Sequence, residues 1–119
     1  MKGYIDLFLL AIPKKNLPAY RKTASLFAKL MKDHGALEYR EFLGEDLKNS
    51  FCLGFPDVYK LKKGEVLISS AVEYSSRKHR DKVNKAVMAD PRMQKMMKAK
   101  PLFDVKRMVV GGFETFLKM

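Results

Sequence analysis

The chain has little of what usually marks chemistry: one cysteine, two histidines and no tryptophan in 119 residues. The lone Cys52 excludes an intrachain disulfide and makes a reducing cytosol the expected, cytoplasmic compartment. His34 and His79 stand at no metal-ligand spacing, and Cys52 lies in a different region, so a zinc or haem site has little support and no cofactor is expected. Long hydrophobic runs are also missing. No stretch approaches the ~20 apolar residues needed to span a bilayer. The apolar N-terminal run carries Asp6, lacks a small-residue cleavage site and runs into Pro13-Lys14-Lys15, so it is not read as a signal peptide. Acidic residues are outnumbered, with 13 Asp+Glu against 24 Lys+Arg and a formal net charge of +11. So basic a protein raises the question of an anionic partner.

What is present is material for a core. Hydrophobic residues make up 47% of the chain and charged residues 31%, which predicts one soluble globular domain over residues 1–119. The run Tyr4–Ile12 is β-rich and apolar on both faces except at Asp6. Alternation puts Ile5, Leu7, Leu9 and Ala11 on one face and Tyr4, Asp6, Phe8, Leu10 and Ile12 on the other. Such a strand needs cover on both sides.

The order of elements follows from local signals. A strand over Lys2–Ile12 ends where Pro13 breaks the ladder. Asn16 is the expected N-cap of a helix whose inward stripe is Leu17, Tyr20, Ala24, Phe27 and Met31, with Gly35 as its stop after His34. A strand over Ala36–Leu43 follows. Gly44–Lys63 is irregular, yet Phe51, Leu53, Phe55, Val58 and Leu61 are too apolar for a free linker and predict a packed connection. Val66–Tyr74 is a strand, and Ser75 or Ser76 caps a helix that runs to about Ala89. Arg92–Lys100 adds a helical turn or two, and Val105–Leu117 is the last strand. Two βαβ units in this order predict an α+β, ferredoxin-like βαββαβ fold: a four-stranded antiparallel sheet with both helices on one face. The first and last strands, apolar on both faces, are expected at the centre. A two-fold homodimer packing sheet on sheet would cover the other face.

Specific segments carry a resemblance. They include Tyr4-Ile5-Asp6, Lys14-Lys15-Asn16-Leu17 and Ala19-Tyr20-Arg21, then His34-Gly35-Ala36-Leu37-Glu38-Tyr39-Arg40-Glu41 and Phe55-Pro56. Arg77-Lys78-His79-Arg80-Asp81, Met88-Ala89-Asp90-Pro91-Arg92-Met93 and Phe103-Asp104-Val105-Lys106-Arg107-Met108 with Gly111-Gly112-Phe113 complete it. In order and over nearly the whole chain, they resemble the uncharacterised YbaA-like family of the dimeric α+β barrel superfamily. The resemblance implies a homodimeric barrel and no particular activity. Leu7 and Val105 stand where the family usually has glycine, and Ser69–Ser70 where it has a nearby tryptophan. Those changes would reshape a cleft.

Few residues are candidates for chemistry. Asp6 is a carboxylate in a buried strand, which requires a partner; Arg40 and Arg107, both placed on strands, are the expected ones. A structural ion pair is the plainer account, and a cleft carboxylate of shifted pKa the functional one. His79 on the inward helix face would be a general base or, more simply, a hydrogen-bonded packing residue. Tyr39 and Glu41 share a strand face and would form a polar cluster in a cleft; Arg40 lies on the other face. His34 is accounted for by the helix C-terminus. Gly111-Gly112 lies within a strand and is no phosphate loop; a bulge or a close backbone approach explains it. Arg92–Lys98 joins a methionine stripe to basic neighbours and suits a lid over the barrel mouth or a dimer contact.

Two functions from different classes follow. One is a homodimer binding a small molecule in the barrel cleft, with cofactor-independent catalysis as its enzymatic form; the superfamily that the chain resembles includes oxygenases, isomerases and lyases acting between sheet and helices. Asp6, Tyr39 and His79 would be its catalytic candidates, and Arg40 and Arg107 its substrate-binding ones. The other is a noncatalytic basic module meeting RNA or another acidic partner through Lys14, Lys15, Arg21, Lys22, Lys29 and Lys32 of the first helix and Arg77, Lys78, Arg80, Lys82 and Lys85 of the second. No aromatic residues are interleaved with these cations, so a solvated basic exterior is the preferred account of the charge.

Overall fold

A computed structural model describes residues 3–119, so the expected strand start at Lys2 lies outside the described residues. Strand β1 (Tyr4–Pro13) leads through a 3-10 turn at Lys14–Asn16 into helix α1 (Leu17–Asp33) and strand β2 (Glu38–Leu43). A long connection holds one helical turn, α2 (Phe55–Val58), before strand β3 (Glu65–Tyr74). Helices α3 (Arg77–Ala89) and α4 (Pro91–Lys98), a 3-10 turn at Val105–Arg107 and strand β4 (Val109–Glu114) complete the chain. The four strands form one antiparallel sheet in the order β2-β3-β1-β4, the expected ferredoxin-like α+β arrangement. No helix among the described residues is long and apolar enough to cross a membrane.

The central strands are β1 and β3, not the first and last. Each βαβ crossover leaves a slot one strand wide, and the first strand of the other unit fills it. The β4 strand pairs only with β1 and is an edge. Its apolar residues on both faces do not mark a central position, because Val109, Val110 and Phe113 all remain exposed. It is also shorter than expected. The Asp104 carboxylate accepts from the Lys106 N–H and winds Val105–Arg107 into a turn. At the other end Glu114 pairs with Tyr4, the first residue of β1.

Local signals place the helix ends. The Ser76 hydroxyl accepts from the His79 N–H at 3.0 Å and starts α3. Gly35, at φ 109°, takes the left-handed conformation that stops α1. Asn16 holds the N-cap position of α1, but its side chain makes no cap; it donates instead to the Leu102 carbonyl, 2.8 Å away. Pro13 does not break the ladder; it closes it, opposite Glu65. A proline is tolerated at a strand's end, where a lost N–H costs least.

The helix-facing side of the sheet carries the core. One cluster joins Leu30 and Met31 of α1 to Val72 and Tyr74 of β3 and Val83 and Val87 of α3. A second joins Leu10 and Ile12 to Tyr20 and Ile68. At the helix ends, Arg92 bridges Asp33 and Asp90, and the His34 Nε2 meets Asp90 Oδ2 at 2.8 Å. These bonds tie the end of α1 to the α3–α4 junction.

On the opposite face, among the described residues, only the single turn α2 approaches the sheet, through Phe55 and Val58 beside Leu9 and Val109. Leu7, Phe42, Val109 and Phe113 lie on this face, each roughly half exposed. The connection before β3 extends this surface. It was expected to be packed, yet Phe51 is 89% exposed and Leu53 and Val58 are each 72% exposed. Hydrogen bonds order it instead: the Asn49 side chain accepts from the Phe51 and Cys52 N–H groups, and Tyr59 donates to the Arg107 carbonyl.

Candidate functional site

A cleft of about 480 Å³ opens between α1 and the β2 edge of the sheet. It exists because α1 turns small side chains, Ala24, Ser25 and Ala28, toward β2, so helix and strand do not close on each other. Leu17, Leu43 and Ile68 give it apolar walls, and Tyr20 and Tyr39 add aromatic rings. Its polar centre is Glu41. The Tyr20 hydroxyl donates to Glu41 Oε1 at 2.5 Å and the Tyr39 hydroxyl to Glu41 Oε2 at 2.6 Å. These lengths are those of bonds to an ionised acceptor.

The two phenols are held protonated. Burial first, then the hydrogen bond to Glu41 and its charge, push the pKa of both Tyr20 and Tyr39 well above the ordinary phenol value of 10.0. Neither is a base near neutrality. Tyr39 is fixed further by an edge-to-face contact with Phe27, ring centroids 5.9 Å apart. Ser70, buried on the neighbouring strand, acts weakly in the other direction on the Tyr20 pKa. Arg21 stands exposed at the rim.

The residues singled out from the sequence do not all converge. Tyr39 and Glu41, expected as a polar pair, do line this cleft together, but Asp6, His79, Arg40 and Arg107 do not. Asp6 is 4% exposed and its partner is neither Arg40 nor Arg107. Arg80, from the first turn of α3, donates to Asp6 Oδ1 at 2.6 Å, with its guanidinium 4.9 Å from the centre of the Tyr4 ring. Burial raises the Asp6 carboxyl above its usual range against the pull of Arg80. Arg40 lies on the open face, over the Phe42 ring. Arg107 is in the 3-10 turn, not on a strand, and grips Glu65 through bonds of 2.7 and 2.9 Å. His79 is turned to the backbone: its Nδ1 accepts from the Ser75 N–H at 3.0 Å and its ring meets Tyr74 edge-on. It does not line the cleft with Tyr39 and Glu41.

Tyr20 is the residue that sequence reasoning missed. It sits in the inward stripe of α1, where a tyrosine reads as core. The usable signal was its hydroxyl, which needs a partner when buried, with Glu41 the acidic residue on the facing side of β2. Gly111-Gly112 is not a bulge, since the β1–β4 register runs through it without a break. A side chain at Gly112 would strike the Tyr4 ring, so the close approach is real but comes from a neighbouring side chain. Among the described residues, no three His, Cys, Asp or Glu side chains gather to hold a metal ion. Apart from Arg80, the cations of α1 and α3 are exposed on the helix side, whereas exposed Phe42 and Phe113 lie on the opposite face of the sheet.

The architecture is that of a ferredoxin-like α+β protein with a cleft on the helix side of its sheet. Within that class, the chain belongs to the DUF1428 family, described as proteins of unknown function, whose profile matches residues 3–105. It is 37% identical over 114 residues to the Escherichia coli K12 protein described as uncharacterized protein YbaA, a match covering 96% of this chain and 97% of that one. Two solved structures share the fold. A dimeric ferredoxin-like protein from an uncultured marine organism aligns with a TM-score of 0.56 at 14% identity, over 100% of both chains. A NIPSNAP family protein with unknown function from Agrobacterium tumefaciens aligns with a TM-score of 0.64 at 19% identity, over 95% of this chain and 87% of its own.

Proposed function

We propose that this protein binds a small molecule in the cleft between α1 and β2, and that it does so as a homodimer. One observation carries the binding proposal: an apolar cleft of about 480 Å³ converges on a single polar cluster, Tyr20–Glu41–Tyr39. Size and lining are those of ligand sites, which are mostly apolar with a few oriented polar groups. Catalysis through Asp6 and His79 is not part of the proposal, because each is engaged elsewhere. Neither is an RNA-binding surface, because the helix cations and the exposed aromatic residues of the sheet occupy different faces. The reducing cytosol suits the free, exposed Cys52.

A fragment screen followed in the 1H–15N spectrum tests the site. Hits are expected to shift amides of residues 20–28 and 39–43, and Ala28→Phe, which fills the cleft, should abolish those shifts while the remaining spectrum is retained. A screen without hits there removes the proposal.

The homodimer rests on the uncovered sheet face. Leu7, Val109 and Phe113 form an apolar surface continuous with Phe55 and Val58, and a single chain offers no second layer for it. The structural neighbour described as dimeric is consistent with this reading. Light scattering after size exclusion should give about twice the chain mass of 13.7 kDa. A mass of one chain at micromolar concentration would count against it.

A further inference from the structure

The hydrogen-bonding inventory of the cleft narrows what can occupy it. Each tyrosine has a single O–H proton. Tyr20 gives its proton to Glu41 Oε1 and Tyr39 gives its own to Glu41 Oε2. The Ser25 hydroxyl is spent on the Arg21 carbonyl, 2.9 Å away. What the cluster still offers is lone pairs: two phenol oxygens and the unused positions of the Glu41 carboxylate. No donor remains at the polar centre, and the only cation lining the cleft is Arg21 at its exposed rim. The centre is therefore an acceptor with a negative charge, walled by the rings of Tyr20 and Tyr39.

We infer that the ligand is an organic amine, bound as its ammonium ion to Glu41, with an apolar body along the Leu17–Ala24–Ile68 wall. This rests on the proposal that the cleft is a ligand site and specifies its chemistry. An ammonium group supplies the donors that the cluster lacks and neutralises its charge. Nearby aromatic rings favour a cation further. A carboxylate or phosphate head would instead meet Glu41 and the phenol oxygens with no proton to share. The overall charge makes the inference demanding. At a net charge of +11 the protein repels cations at long range, so selectivity for an amine has to come from the carboxylate inside the cleft.

Three probes of one shape separate the possibilities: phenethylamine, 2-phenylethanol and 3-phenylpropanoate, an aryl group on a two-carbon arm ending in an ammonium, a hydroxyl or a carboxylate. Titrated at pH 7 and followed at the amides of residues 20–28 and 39–43, phenethylamine should bind about tenfold or more tightly than either of the others, the scale of a charged hydrogen bond. Glu41→Gln should bring the amine within roughly threefold of the alcohol. A thermal melt confirms that the variant is folded, and the wild-type ranking stands as a test without it. Raising salt should leave the preference in place or increase it, since it screens the repulsive outer charge more than the enclosed contact. If the alcohol or the carboxylate binds in the cleft as well as the amine, the amine assignment fails and the ligand site survives. If no probe shifts these amides but fragments of other chemistry do, the amine assignment again fails alone. If nothing of any chemistry shifts them, both fail together.

Discussion

Arg80→Met should lower the stability of the fold by about 3 kcal/mol at pH 7, the low end of what breaking a buried ion pair costs. Methionine keeps most of the apolar stem, so the loss comes mainly from the guanidinium and its contacts with Asp6, Asp81 and Tyr4. Asp6 sits between Val72 and Gly112 in the ladder, buried, with Arg80 as its ion-pair partner at 2.6 Å. Without the guanidinium, a carboxylate is left in the sheet interior. The pH dependence follows from the direction of its shift. Burial already holds the Asp6 pKa above the value of 3.8, and removing Arg80 removes what pulls it down. A raised folded-state pKa contributes stability that is present at low pH and lost as pH rises through it. The deficit of Arg80→Met should therefore shrink between pH 7 and pH 5. Below about pH 4 wild type and variant both lose stability, as Asp33 and Asp90, both lowered by Arg92, become protonated and lose their pairing. Asp6→Asn combined with Arg80→Met should be more stable at pH 7 than Arg80→Met alone. Urea denaturation at pH 7 and pH 5 measures all three. A deficit under 1 kcal/mol at pH 7, or one that ignores pH, contradicts this account of Asp6.

Gly112→Ala carries the second large effect, about 2 kcal/mol. A Cβ at this position would lie 2.2 Å from the Tyr4 hydroxyl oxygen and 2.8 Å from Cζ, and neither distance is tolerable. The ring cannot simply swing away, because the Arg80 guanidinium lies over it at 4.9 Å. The methyl group thus disturbs the same stack that holds Asp6. Tyr4→Ala should relieve the strain, and the double-mutant cycle should show a coupling of about 1 kcal/mol or more. Gly111→Ala is the control. Its Cβ would meet only the Phe113 ring at 3.6 Å, an ordinary contact, and the change should stay within about 0.5 kcal/mol. Equal effects at both glycines would mean that backbone freedom, not the Tyr4 ring, sets the requirement.

These two positions show what the sequence could and could not reveal. Ser76 and Gly35 act within a few residues of themselves, and local rules read them correctly. Asn16 was legible as a position but not as a contact, because its side chain bonds to Leu102, far along the chain. Asp6 announced its need for a partner through the apolar run around it. Arg80 was hidden because a helix cation reads as solvated until the helix is docked on the sheet. Sheet order failed for a similar reason: apolar residues on both faces describe a central strand and an uncovered edge equally well. In the cleft, Tyr39 and Glu41 share a strand face and could be paired by alternation. Tyr20 reaches Glu41 only through the packing of α1 on β2.

The interleaving of the sheet also sets a schedule for synthesis. Strand β1 is made first, yet its neighbours are β3, ending at Tyr74, and β4, ending at Glu114. A ribosome adds ~5–20 residues per second, so some 60 residues must follow Ile12 before its first partner strand is complete, a delay of about 3 to 12 s. Throughout that interval the most apolar segment of the chain has no strand to pair with, and β4 comes later still. Nascent chains of this protein thus spend seconds with β1 unpaired, and the order in which the strands leave the ribosome, not their final stability, sets how long.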